Sequence, residues 1–193
     1  MITYRRAVSN VRKVMESATP EDRVNGIAWY REAGEEVDIL SRNYGLPRRV
    51  VCHIVAALSP GIRWSQNLTA AESVLEGKPE SLGAYPMNLM KASRIRDLYL
   101  SNNPDWQNTL SGPKVTAFAE ALESRGGDRV TIDVHAYSLA AGVRHTTKNM
   151  PGIRVSEREA ITRAYTTVAW ENGISPAECQ AICWVSWRRL NNL

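Results

Sequence analysis

Two charged side chains stand at the edges of apolar segments, where a charge needs either water or a partner. Lys114 lies in LSGPKVTAFAEAL, residues 110–122, and Asp133 in TIDVHAYSLAAG, residues 131–142, nineteen positions further on. An amine and a carboxylate are the components of a nucleophile with its proton acceptor. Gly112 permits a positive φ and a close approach of backbone to another chain. Pro113 suits the first position of a helix. The N–H groups that follow point outward, a setting that holds phosphate. Lys114 falls in that first turn, where the positive end of the helix dipole disfavours a second positive charge, as an amine nucleophile needs. Asp133 is placed to cap the next helix, and capping alone would also account for it.

These groups must be positioned by a scaffold, and the chain has the means to build one. Its 193 residues suffice for one substantial core or two small lobes that share one. No apolar run reaches the roughly 18–20 residues of a membrane span, and MITYRRAVSNVRKVMES has no apolar stretch of the secretory kind. These features predict an intracellular, cytoplasmic protein with no membrane partner. Cys52, Cys179 and Cys183 do not make a disulfide framework, and an odd count fits a reducing compartment. The net charge of +4 admits nucleic acid as a partner without establishing it.

The periodicity reads as helix nearly everywhere. Val8, Val11 and Met15 mark an amphipathic first helix. Thr19, with Pro20, Glu21 and Asp22 after it, starts a second. EEVDILSRNYGLP predicts a third, ended by Gly45 and Pro47. RRVVCHIVAALSP is the most apolar segment and is expected as the buried central helix. Further helices follow in SQNLTAAESVLEGKP, PMNLMKASRIRDLYL, PKVTAFAEALES and TIDVHAYSLAAG. Ser156 is expected to cap SEREAITRAYTTVAWENG, and Ser175 with Glu178 to form a capping box for the last helix. DRVTID is the only plausible strand. The prediction is an all-α fold of roughly ten helices in one domain spanning 1–193, with two lobes and a cleft as the alternative arrangement.

The familiar phosphate-loop, dinucleotide and metalloprotease patterns are absent. Cys179 and Cys183 sit four apart but have no further nearby ligand, so they read as buried apolar residues and not as a metal site. Trp184 and Trp187 share a helical face and read as core, while Arg188 and Arg189 either touch phosphate or are solvated. Arg5, Arg6, Arg48 and Arg49 are most simply solvated helix ends.

LSGPKVTAFAEAL followed by VTIDVHAYSLAAG resembles the core of the helix-hairpin-helix (HhH-GPD) DNA glycosylases, the superfamily of endonuclease III and 8-oxoguanine glycosylase. There a hairpin of the form L-P-G-V-G-x-K-x-A precedes V-D-x-H. IVAALSPGIRWSQNLTAAESVL is similar to the L-L-S-x-Q segment of that family, and NLMKASRIRDLYL to its K-A-x-x-I helix. The resemblance covers residues 50–142, with the hairpin at 110–114. The hairpin here is two residues shorter, its second glycine is missing, and the cysteine cluster of endonuclease III is absent, so no iron–sulfur cluster, metal or other cofactor is expected. The chain is also similar to small phage-encoded relatives.

The resemblance implies a DNA partner and a base flipped from the duplex. It implies Lys114 as nucleophile, Asp133 as the completing carboxylate, and Gly112 and Pro113 at the DNA backbone. Arg63, Trp64, Gln66 and Asn67 would face the lesion pocket, where capping for Gln66 or Asn67 and a core role for Trp64 are the rivals. His135 matches the family histidine, though it can equally pack or cap. Two alternatives stay open. One is hypermodification of phage DNA, in the manner of alpha-glutamyl/putrescinyl thymine pyrophosphorylases, with a free amino acid or amine as co-substrate. The other is a DNA-binding module without chemistry. A monomer is expected.

Overall fold

The computed structural model describes residues 1–192 and is all-helical, with no strand among the described residues. Thr3 caps α1 (Tyr4–Glu16) by accepting the Arg6 N–H, and Val8, Val11, Val14 and Met15 are buried along one side of this helix. Thr19 and Asp22 cap the next helix reciprocally: the Thr19 hydroxyl accepts the Asp22 N–H at 3.1 Å, and the Asp22 carboxylate accepts the Thr19 N–H at 3.0 Å.

This helix, α2 (Pro20–Tyr44), runs unbroken where the sequence predicts two. The expected third helix begins at Glu35, one residue after Gly34. A single helical glycine costs only about 1 kcal/mol, and here Gly34 is buried with its carbonyl accepting a hydrogen bond from Arg48 at 2.9 Å.

The chain divides into two units, residues 1–32 with 124–193, and residues 33–123. The second unit is built on α3 (Arg48–Leu58), whose residues from Val50 to Leu58 are all buried, as its composition predicts. Around it pack α4 (Trp64–Glu76), α5 (Pro86–Leu100) and α7 (Pro113–Glu123). The short α6 (Trp106–Thr109) lies in what the sequence presents as a loop. Four residues are too few to show a helical period.

Arg48 corrects its expected solvation. It donates to the carbonyls of Leu122 at 2.7 Å and Glu123 at 3.2 Å, closing the C-terminus of α7, and pairs with Asp38. Arg49 lies 3.7 Å from Glu123 and over the Trp106 ring.

The first unit adds α8 (Val134–Ala141), α9 (Val155–Glu171) and α10 (Pro176–Leu190) to α1 and the start of α2. Its core joins Val11 and Met15 to Leu139, Ile161, Tyr165, Val168, Ile182 and Cys183. At Gly26 a Cβ would lie 2.5 Å from the backbone N and Cα of Ile182, so only glycine lets α2 approach α10 this closely. Arg6 is likewise not simply solvated, since it donates to the Ala141 carbonyl at the end of α8 at 2.7 Å. Ser175 and Glu178 form the expected capping box of α10. Ser156 is not a cap. The cap position of α9 is Arg154, because Glu157 reaches back to the Arg154 N–H and also accepts the Ile2 N–H at 2.8 Å.

Candidate functional site

The hairpin before α7 takes its shape from three residues. Leu110 is buried and anchors it. Gly112 has φ +103°, and a Cβ there would meet nothing nearer than Val115 Cγ2 at 3.8 Å, so the backbone angle and not space demands glycine. Pro113 is the first helical residue, as predicted. The Gly112 carbonyl accepts the Thr116 N–H at 3.1 Å, which makes Gly112 the cap position of α7. A glycine offers no side-chain acceptor, so the N–H groups of Lys114 and Val115 head the helix without the usual cap.

Lys114 is half-buried, and no acceptor or carboxylate among the described residues engages its ammonium. A second cation stands at the same hairpin: Lys91 of α5 donates to the Ser111 hydroxyl at 2.9 Å. Lys91 is the lysine of the K-A-x-x-I stretch about twenty positions upstream, and read from sequence its side chain has no role at the hairpin. Two ammonium groups and the positive end of a helix suit an anion.

The head of α4, in the same unit, carries the other residues expected at the lesion pocket. Arg63 occupies the cap position and is exposed, and its N–H donates to Gln66 Oε1 at 3.4 Å. Gln66 therefore takes the capping role that rivalled DNA contact. Trp64 is half-buried: its indole N–H donates to Glu36 at 2.6 Å, and its ring meets Phe118 edge-on at 6.4 Å. Asn67 is only 1% exposed, which contradicts a role in reading a duplex from the surface. Its Oδ1 has no hydrogen-bond donor within the described protein.

Asp133 sits in the other unit, and the elements that place it are well defined. Val130, Thr131 and Ile132 are buried outside any helix. The side chain of Gln180, from α10, accepts the Thr131 N–H and donates to the Thr131 carbonyl, both at 2.9 Å. This amide clamp fixes the approach to Asp133. Asp133 then caps α8, with Oδ1 accepting the Ala136 N–H at 2.8 Å. The cap occupies one carboxylate oxygen, and no donor among the described residues engages the other.

Tyr30 and Tyr165 are buried near this carboxylate. Burial pushes the Tyr30 phenol up to about 12 and raises that of Tyr165 well above its usual range, and the Asp133 charge adds to both. Gln180 was not found from sequence. Its only signal is a polar residue beside Cys179 and Cys183 on the apolar side of α10.

His135 is half-buried in the first turn of α8 and meets Trp184 edge-on, with 6.5 Å between ring centroids. Trp187 packs against the core as predicted, whereas Trp184 is half-buried and carries Arg188 over its ring. Arg189 is exposed, yet it pairs with buried Asp22 at 2.8 Å and so is not simply solvated. Its guanidinium holds the Asp22 carboxyl below the usual carboxylate range. Lys114, Gly112 and Pro113 thus share one unit with Arg63, Trp64, Gln66 and Asn67, and Asp133 shares the other with His135.

No helix is long and apolar enough to cross a membrane among the described residues. Comparison with curated proteins and with solved structures returns no match. One family model matches residues 1–191, nearly the whole chain, and the chain belongs to that family, described as a family of unknown function (DUF7178).

Proposed function

We propose that the chain is a DNA base-excision enzyme in which Lys114 is the nucleophile and Asp133 the assisting carboxylate. The observation that carries this reading is the setting of Lys114: an ammonium with no acceptor among the described residues, in the first turn of a helix headed by glycine and proline. The reading also draws on the resemblance of this segment to the helix-hairpin-helix glycosylases.

In the reaction, the uncharged Lys114 amine attacks the anomeric carbon of a flipped nucleotide. A C–N bond forms to Nζ, the glycosidic bond breaks, and the base leaves with its bonding electron pair and takes up a proton. Nζ gives up one proton, its lone pair then forms the C=N bond as the C1′–O4′ bond breaks, and O4′ takes up a proton from water, leaving a protonated Schiff base. Asp133 is the assisting carboxylate that the resemblance implies; its Oδ1 keeps its place at the cap of α8. Lys91, the Ser111 hydroxyl and the head of α7 hold backbone phosphate.

Borohydride trapping tests the reading. The protein is mixed with duplexes carrying an abasic site or a panel of damaged and hydroxymethylated bases, then reduced. The expected result is a covalent adduct that Lys114→Ala abolishes. Asp133→Asn should slow trapping at least tenfold without unfolding the protein, because asparagine caps a helix about as well as aspartate. An adduct that survives Lys114→Ala overturns the role of Lys114. No adduct on any substrate overturns base excision and favours hypermodification, to be sought by mass spectrometry of 5-modified DNA incubated with amino acids.

A further inference from the structure

The outer side of α10 carries a row of donors that the chemistry above leaves unused. The Arg188 guanidinium lies over the indole of Trp184, 4.7 Å from the ring centroid. Trp184 stands edge-on to His135, two residues beyond Asp133. All three side chains are half-buried. Among the described residues, none of the guanidinium, the indole N–H or the imidazole has a hydrogen-bond acceptor.

Their neighbours on the same helix turn face other parts of the protein. Trp187 packs on the core, and Arg189 is tied to the Asp22 carboxylate and the Ser17 carbonyl. An arginine stacked on a ring is held in one place while its N–H groups stay directed outward. Such a fixed row of donors, without a carboxylate to neutralise it, fits an anionic, acceptor-rich ligand. Phosphodiester oxygens meet that description.

We propose that Arg188, Trp184 and His135 form a platform that holds the DNA backbone on the approach to Asp133. The platform rests on the reading of DNA as substrate. Arg188 takes a phosphate, and Trp184 and His135 fix the guanidinium and supply further donors to the same strand.

The test is fluorescence anisotropy of labelled single-stranded and duplex DNA titrated with the full chain at several salt concentrations. Arg188→Ala should weaken binding about tenfold and lower the slope of log affinity against log salt by about one. Arg188→Lys should restore the slope. Trp184→Leu should weaken binding by removing the support of the guanidinium. Arg189→Ala, measured below its melting temperature, should leave the slope unchanged.

Equal affinity and slope for wild type and Arg188→Ala overturn the platform. So does displacement of DNA by polyglutamate as readily as by unlabelled DNA. If binding falls in Arg188→Ala but wild type forms no borohydride adduct, the platform stands and base excision falls. An adduct with unaltered Arg188→Ala binding overturns the platform alone. A wild type that binds no DNA overturns both.

Discussion

The charged residue at the edge of an apolar segment is as good as the groups that hold it, and for Asp133 those groups are Gln180 and the Ala136 N–H. Gln180 is buried, and its amide satisfies both backbone groups of Thr131. Replacing it with leucine, of similar size, leaves the buried Thr131 N–H unpaired, while the Thr131 carbonyl keeps the Asp133 N–H at 3.0 Å. The expected cost is about 1–3 kcal/mol of stability in urea denaturation, the cost of one unsatisfied buried group. Loosening of Thr131 should also disturb the geometry of Asp133, so trapping by the folded Gln180→Leu protein should be slower than that of wild type. A Gln180→Leu variant as stable as wild type would show that water replaces the amide at no cost.

Among the elements, helix starts were the most legible. Thr19 with Pro20, Pro113, and Ser175 with Glu178 were readable because capping is a local hydrogen-bond pattern within four residues. Asp133 was legible as a cap for the same reason. The continuity of α2 was not, because a buried glycine and a turn glycine look alike in sequence. Arg48 and Gln180 were not either, since their partners lie at least ten and forty-nine positions away. The two ends of the expected DNA-facing segment fared differently: Gly112 has the positive φ that was foreseen, whereas Asn67 turned inward.

The approach of α2 to α10 at Gly26 supplies a sharper test at this scale. Gly26→Ala puts a methyl group against the backbone of Ile182, which no side-chain rotation relieves. The expected loss is about 1–3 kcal/mol, measured by urea denaturation. A neutral or stabilising result would mean that α2 and α10 separate without cost.

For the molecule as a whole, acid stability is expected to depend on His53. This imidazole is buried in α3, and burial first, then the charge of Arg49, lowers it from 6.5 to about 4. The unfolded chain takes up a proton there as pH falls through 6.5, and the folded chain does so only near 4. Stability is therefore whole above 6.5, is lost between 6.5 and about 4, and levels off below. Asp22 and Glu157 are held below their ordinary values of 3.8 and 4.5, so they act mainly further down the scale. Melting temperature followed from pH 7 to 4.5 should fall for wild type and fall less for His53→Gln. A flat wild-type profile would rule out a buried neutral imidazole.

The division into units has a temporal side. Residues 33–123 form one uninterrupted stretch, whereas residues 1–32 share their unit with 124–193. A ribosome therefore delivers α1 first and its partners last: α8, α9 and α10 all follow residue 133. Val8, Val11, Val14 and Met15 leave the ribosome early, yet the helices that cover them do not yet exist. The contiguous unit can complete itself while this apolar stripe waits in water or in the hands of a chaperone. Protease protection during synthesis should accordingly reach residues 33–123 before it reaches the N-terminal helix.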